Sequence, residues 1–266
     1  MLRTLVSIHV DLASSLAIRL ACRLGNLVPM EIQPVYVKES PPYAPFTGAG
    51  WTPRTWEREV LQQGKEEIAK MIASEMGFCP VLQEPRVIFG DRETELLKMG
   101  EQESFDLYVE GVYSEWTAPM LHKMLHSKLH QGLSCPQVLV QGLREIQKVL
   151  VPCFDSKSTR LLTAALKKIW EGCRVPVHLA PIGTDDQGPE EALLHEVMEA
   201  KDLLEGAGCQ VDVRESFPLP PKGEADDIFA GFGLVAMAIP EDIRRESAPF
   251  KWLQRIAAPV MLVMYR

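Results

Sequence analysis

The sequence predicts an α/β protein made of two five-stranded parallel sheets, the second trimmed. Three observations carry that prediction. Apolar segments of strand length alternate with amphipathic helical segments from Leu2 to Tyr265, the pattern of parallel strands covered by crossover helices. The opening unit, Leu5 to Gly25 (LVSIHVDLASSLAIRLACRLG), passes from a buried strand through Asp11 directly into a helix. The same unit returns at Val149 to Gly172 (VLVPCFDSKSTRLLTAALKKIWEG), with Asp155 standing for Asp11 and Ser158 for Ser14. At 266 residues and 46% hydrophobic, the chain is long enough for two cores. The expected domains are 1–141 and 148–266, with Gly142 to Gln147 as a short polar linker.

Element by element, Leu2 to Val10 is the first strand and Leu12 to Leu24 the first helix, with Gly25-Asn26 as its stop signal. The second strand lies near Glu31 to Lys38, followed by the irregular loop PPYAPFTGAG. Trp51 and Trp56 sit at or beside this loop, as a cover for a site, a contact between domains or a local anchor. A long charged helix spans about Arg54 to Met76. The third strand closes at Val87 to Gly90, Asp91 opens a helix through Lys98, and Asp106 to Gly111 is the fourth strand. A single helix from Ala118 to Gln131 and a strand from Gln137 to Gln141 complete the first copy.

The second copy repeats that order. Its strands are Val149 to Cys153, Val175 to Ala180, Gln210 to Arg214, Leu234 to Ile239 and Val260 to Tyr265; its helices are Lys157 to Glu171, Glu190 to Gly206 and Ala248 to Ala257. Between Ser216 and Phe232 prolines leave room for one short helical turn only, so the third helix is trimmed.

Charge and composition exclude several function classes. A net charge of -8 and a pI near 5.4 leave no basic face for nucleic acid or an anionic membrane. The apolar start is broken by His9 and Asp11, and no later apolar run has membrane-spanning length; a cytoplasmic protein is expected. The six cysteines (Cys22, Cys79, Cys135, Cys153, Cys173, Cys209) stand singly, without C-x-x-C or zinc-finger spacing. They read as small buried hydrophobes of a reducing compartment. No nucleophile elbow, Walker lysine motif or nucleophile–base pair appears.

A strand ending in aspartate at Ile8 to Asp11, V-x-x-G-D at Val87 to Asp91, D-L-x-V-x-G at Asp106 to Gly111 and C-P-x-V-L-V at Cys135 to Val140 together resemble the universal stress protein family. The second copy matches through Val149 to Asp155, Gly233 to Ala238 and Pro259 to Val263, so the chain resembles a tandem form. The resemblance implies an adenine-nucleotide-hydrolase-like (Rossmann-type) fold, whose strand order reverses between the first and fourth strands and whose ligands bind at the carboxyl ends there. It also implies that the fifth strands, Pro136 to Gln141 and Pro259 to Tyr265, pair antiparallel, as an internal pseudo-dimer or in a homo-oligomer, and it allows a protein partner.

Carried over residue by residue, the implied nucleotide contacts are Asp11, Val37 and Gly111, with Ser114 at the position of the second phosphate-loop glycine. The Gly-Ser pair of that loop falls instead within Lys123-Met124-Leu125, whose side chains crowd the approach of phosphate to backbone N–H groups. In the second copy Ala238-Ile239-Pro240 replaces the first glycine, the loop is short, and Glu246 adds negative charge. ATP or AMP is therefore a candidate ligand of the first domain alone, in at most a degenerate site. The rivals are an interaction or scaffold module without nucleotide and an ATP-hydrolysing enzyme of a related fold. Asp11 and Asp155 also read as helix N-caps, and that reading outweighs the ligand one. His122, His126 and His130, four apart on the helix from Ala118, read as the flank of its buried face rather than a metal site.

Overall fold

The computed structural model describes residues 1–39, 53–77, 79, 81–112, 116–183, 188–214, 229 and 231–266, with side chains described from residue 58 onwards in the helix that opens at Pro53. Trp51 and Ser114 lie outside the described residues, and so does the side chain of Trp56.

The first half runs β1 (Leu2–Ile8), α1 (Leu12–Leu27), β2 (Met30–Lys38), α2 (Pro53–Met76), β3 (Arg86–Phe89), α3 (Arg92–Glu103), β4 (Leu107–Gly111), α4 (Ala118–Leu125), α5 (Lys128–Gly132) and β5 (Gln137–Val140). The second runs β6 (Val149–Cys153), α6 (Ser156–Ile169), β7 (Val177–Pro181), α7 (Glu191–Gly206), β8 (Val211–Val213), β9 (Leu234–Pro240), α8 (Ala248–Leu253) and β10 (Val260–Tyr265). The ten strands among the described residues form one sheet, ordered β3-β2-β1-β4-β5-β10-β9-β6-β7-β8. Every neighbouring pair is parallel except β5 with β10, where Val260 faces Leu139, Met261 faces Val138 and Leu262 faces Gln137. The two expected sheets are thus halves of one sheet, and order reverses at β1/β4 and again at β6/β9.

Side-chain alternation along the strands sorts the core by face. On one face, Val6, Ile8, Val138, Val151 and Met261 pack with apolar residues of α1, α2, α6 and α7. On the other, Leu5, Val35, Val37 and Tyr108 pack under α3 and α5, while Leu139, Val235, Met237 and Leu262 pack under α4 and α8. Polar ties between the halves flank the junction: Gln141 Nε2 donates to Ile256 O at 2.6 Å, Gln131 Nε2 to Glu241 O at 3.1 Å, and Lys168 Nζ sits 2.5 Å from Asp106 Oδ1.

Three local expectations are corrected. Helix α1 continues through Gly25 to Leu27 and stops at Val28, whose N–H reaches Leu24 O at 2.9 Å. Val28 precedes Pro29, which disfavours the helical conformation at the residue before it. Gly25 serves packing instead: a Cβ there would lie 2.8 Å from the Val81 side chain. The single helix expected over Ala118 to Gln131 breaks at His126. Ser127 is extended and caps α5, its Oγ accepting from His130 N at 3.3 Å.

The third correction concerns the cysteines. Cys22 on α1 and Cys79 just beyond α2 are joined in a disulfide with a Cα separation of 5.6 Å, while Cys135, Cys153, Cys173 and Cys209 are free. A reducing compartment inferred from six unbonded cysteines loses that premise. The cross-link closes a loop of 57 positions that contains β2 and α2. Replacing both Cys22 and Cys79 by Ser is expected to lower the unfolding free energy by about 2–4 kcal/mol. Urea denaturation of the non-reduced protein reads the change, and an unaltered midpoint would mean that the bond contributes nothing to the folded state.

Candidate functional site

The carboxyl ends of β1 and β4, where the strand order reverses, are the expected place for a ligand in a doubly wound sheet. Asp11 follows β1 and is the N-cap of α1: its Oδ1 accepts from Ser14 N at 2.8 Å, while Ser14 Oγ accepts from His9 N at 2.7 Å. Asp155 repeats the device on α6, accepting from both the N–H and the hydroxyl of Ser158 at 2.8 Å. Gly111 ends β4 directly beside this first turn. A Cβ at Gly111 would fall 2.0 Å from Ala13 O, so the bare backbone is needed for α1 to lie against β4. Val37 is buried on β2, its side chain packed with Leu5, Val35 and Leu96 under α3. Asp11 and Gly111 are therefore brought together, and the Val37 side chain is spent on the core.

The positions expected to replace the phosphate loop are helical. Lys123, Met124 and Leu125 lie in the last turn of α4, with Leu125 fully buried and Met124 packed on the core beneath. The preceding turn and the helix end bring His122 and His126 into a stack, with ring centroids 4.1 Å apart, and His122 meets Phe250 edge-on. His126 Nδ1 is engaged with His122 O at 2.8 Å. His130 belongs to α5 and points into the sheet, so the three histidines do not share one face. No group of three His, Cys, Asp or Glu side chains suited to a metal occurs among the described residues.

The principal feature of the site was not anticipated from sequence. Arg92, the first residue of α3, reaches across the ends of β1 and β4: it donates to Ser7 Oγ at 3.0 Å and Tyr108 Oη at 3.2 Å, and pairs with Glu110 Oε1 at 2.8 Å. Tyr108 in turn donates to Glu110 Oε2 at 2.7 Å. His130 places Nε2 3.7 Å from the same carboxylate, and its Nδ1 meets Gln137 Oε1 at 2.5 Å, while Gln137 Nε2 donates back to His130 O at 2.6 Å. Arg92 Nε is buried with no partner among the described residues. A charged residue at the end of an otherwise apolar strand, Glu110 in Leu-Tyr-Val-Glu-Gly, was the available signal.

Electrostatics follow from this geometry. Burial pushes the Glu110 carboxyl up, but Arg92, then His130 and the Tyr108 and Arg92 hydrogen bonds, hold it below its ordinary 4.5. Burial, and then the neighbouring Glu110 charge, raise the Tyr108 phenol well above 10 and keep it a donor. The His9 imidazole is lowered by burial and then by Arg92, against the opposing pull of Asp11 and Glu110, so it is neutral at pH 7. The second half has no such cluster on β9, which reads Leu-Val-Ala-Met-Ala-Ile-Pro.

A separate cleft, lined by Leu97, Gly100, Phe105, Gly132, Leu133 and Cys135, lies at the opposite end, over the starts of β4 and β5. Burial pushes the Cys135 thiol up to about 12, so this cleft presents no reactive thiolate.

Two parallel half-sheets with the same reversed order, joined through their fifth strands, define a Rossmann-like fold of the adenine-nucleotide-hydrolase type, here present twice in one sheet. Comparison with solved structures gives that fold its relatives. A universal stress protein from Archaeoglobus fulgidus DSM 4304 superposes with a TM-score of 0.63 at 16% identity, over 99% of this chain and 96% of that one. A functionally unknown protein from Pseudomonas aeruginosa PAO1 superposes with a TM-score of 0.50 at 12% identity, over 98% and 92%. No protein-family model and no curated protein sequence matches the chain. The described residues share the fold of that Archaeoglobus fulgidus universal stress protein in both halves of the sheet. No helix among the described residues is long and apolar enough to cross a membrane.

Arg92 and Glu110 form a pair less than one fifth exposed, so removing one partner strands the other. Arg92→Met is expected to cost about 3–5 kcal/mol of stability at neutral pH. Because the folded Glu110 pKa lies below 4.5, the wild-type contribution is present above that value and is lost as pH falls through the folded pKa. The gap between wild type and variant should therefore narrow below about pH 4.5, in thermal melts recorded across a pH series. A gap that stays constant would mean that charge pairing at Glu110 is not what the variant removes.

Proposed function

We propose that the chain is a stress-response or regulatory binding protein of the universal stress protein type. Its two domains, 1–141 and 148–266, act as an internal pseudo-dimer, and only the first keeps an adenine-nucleotide site, in degenerate form. The observation that carries this reading is the fate of the phosphate loop. Lys123-Met124-Leu125 is wound into α4, whose backbone N–H groups are committed to the helix, while Leu125 is anchored in the core. Asp11 remains next to the strand-order reversal, partly exposed and able to meet a ribose or an adenine edge while it caps α1. In the second domain Pro240 removes a donor, and Glu246 adds negative charge.

A second reading, an interaction module without nucleotide, is favoured by the self-contained pairing of Arg92 with Glu110, which leaves that guanidinium neutralised before any phosphate arrives.

Isothermal titration separates these readings. The degenerate site is expected to bind ATP and AMP with similar Kd values on the order of 1 mM, about -4 kcal/mol, because the phosphates gain no ligands. Asp11→Asn, which retains capping ability, is expected to weaken both alike. No heat at millimolar nucleotide overturns the nucleotide reading in favour of the interaction module. ATP binding more than tenfold tighter than AMP overturns the claim of a lost phosphate loop.

A further inference from the structure

Each half ties together the ends of its first two helices, but with different chemistry. In the first, Cys22 on α1 is bonded to Cys79 beyond the end of α2. In the second, Cys173 follows α6 and Cys209 follows α7, both free and both buried. Each is preceded by a glycine in the left-handed region, Gly172 at φ 69° and Gly208 at φ 82°, which turns the chain out of the helix.

The two turns lie against each other. Gly172 N–H donates to Ala207 O at 3.0 Å, and a Cβ at Gly208 would lie 3.5 Å from Gly172 Cα. The cysteines that follow share one acceptor: Trp170 O receives the Cys173 N–H at 2.9 Å and the Cys209 S–H at 3.2 Å. A disulfide needs its two Cα atoms close together, and the shared Trp170 carbonyl and the packed glycine turns bring Cys173 and Cys209 into one neighbourhood.

From this juxtaposition, and independently of any nucleotide, we propose that Cys173 and Cys209 are a redox pair that closes to a disulfide under a hydroperoxide, as the second half's counterpart of Cys22–Cys79. One thiol gives up its proton and attacks a peroxide oxygen; the O–O bond breaks, the sulfur becomes a sulfenic acid, and the departing hydroxide takes up that proton and leaves as water. The other thiolate then attacks that sulfur, the S–S bond forms, and the sulfenic oxygen departs as a second water. Overall two thiols and one hydrogen peroxide give one disulfide and two waters, with sulfur oxidised and peroxide oxygen reduced. Closure would pin the end of α6 to the end of α7, enclosing β7 and α7 in a covalent loop. Burial raises both thiols, and Cys173 adds to the rise at Cys209, so closure answers sustained rather than brief exposure.

The test uses the full chain with Cys22–Cys79 intact. After prolonged incubation with hydrogen peroxide, the protein is denatured, alkylated without reductant, digested and mapped by mass spectrometry. The expected result is joint loss of alkylation at Cys173 and Cys209 and a linked peptide pair two hydrogens lighter than its parts, both reversed by dithiothreitol. Cys135 and Cys153 should stay alkylated. Cys209→Ala should abolish the linked pair and leave Cys22–Cys79 in place. Full alkylation of both residues after peroxide, oxidation of either to sulfinic acid without a link, or linkage to another cysteine would each overturn the proposal. The wild-type map decides the matter even where the variant folds poorly.

Discussion

The antiparallel contact between β5 and β10 is the constraint from which the rest of the molecule follows. A five-stranded parallel sheet of this order leaves its fifth strand as an edge, with backbone donors and acceptors open to pairing with another chain. Here each half satisfies the other's edge within one polypeptide, through Leu139, Val138 and Gln137 against Val260, Met261 and Leu262. The approximate two-fold relation this imposes brings α1, α2, α6 and α7 to one face, where a single hydrophobic cluster runs from Leu2 to Met261. Neither half could be lifted away without opening a strand edge and that shared core together.

The junction is also chemically wired to the reversal point in the first half. Gln137 is buried on β5, beside the antiparallel contact; its amide is held by His130 and reaches Met264 Sδ of β10 at 3.8 Å. His130 faces Glu110, Glu110 pairs with Arg92, and Arg92 reaches Ser7 at the end of β1. This is a continuous polar path from strand end to half-sheet junction. Burying such groups is costly even when paired, and apolar replacements of similar volume are often as stable. The second half takes the apolar course with Val235, Met237 and Ile239 on β9. One fold thus shows both solutions, and stability alone does not account for the polar one.

Much of the fold was legible because the signals are local and periodic. Alternating strands and helices, aspartate caps at Asp11, Asp91 and Asp155, and the internal repeat give the element order directly. The universal stress protein resemblance supplied the sheet order, which no local pattern contains. What stayed hidden depends on partners distant in sequence. Cys22 and Cys79 are far apart in the chain, and neither shows the spacing that marks a disulfide framework. The break between α4 and α5 turns on Ser127, whose preference for a helix N-cap competes in the sequence with an unbroken apolar stripe through Leu121, Leu125 and Leu129. Arg92, the β4 pair Tyr108 and Glu110, His130 and Gln137 come from four elements, and only the fold shows that they meet.

Gly111 shows why motif residues at such a site carry two meanings. In a ligand-binding reading its missing side chain admits phosphate; here the space is occupied by the carbonyl of Ala13, because α1 runs so close to β4 that any Cβ would collide with it. Asp11 is divided in the same way, since its carboxylate completes the first turn of α1 whether or not a ligand is bound. Both residues thus have a structural reason to be present that is independent of any ligand: Gly111 lets α1 lie against β4, and Asp11 caps its first turn. Lys123, Met124 and Leu125 likewise have a structural duty of their own, as the last turn of α4 with Leu125 seated in the core, so the residues around this strand end are explained by the fold before any ligand is considered.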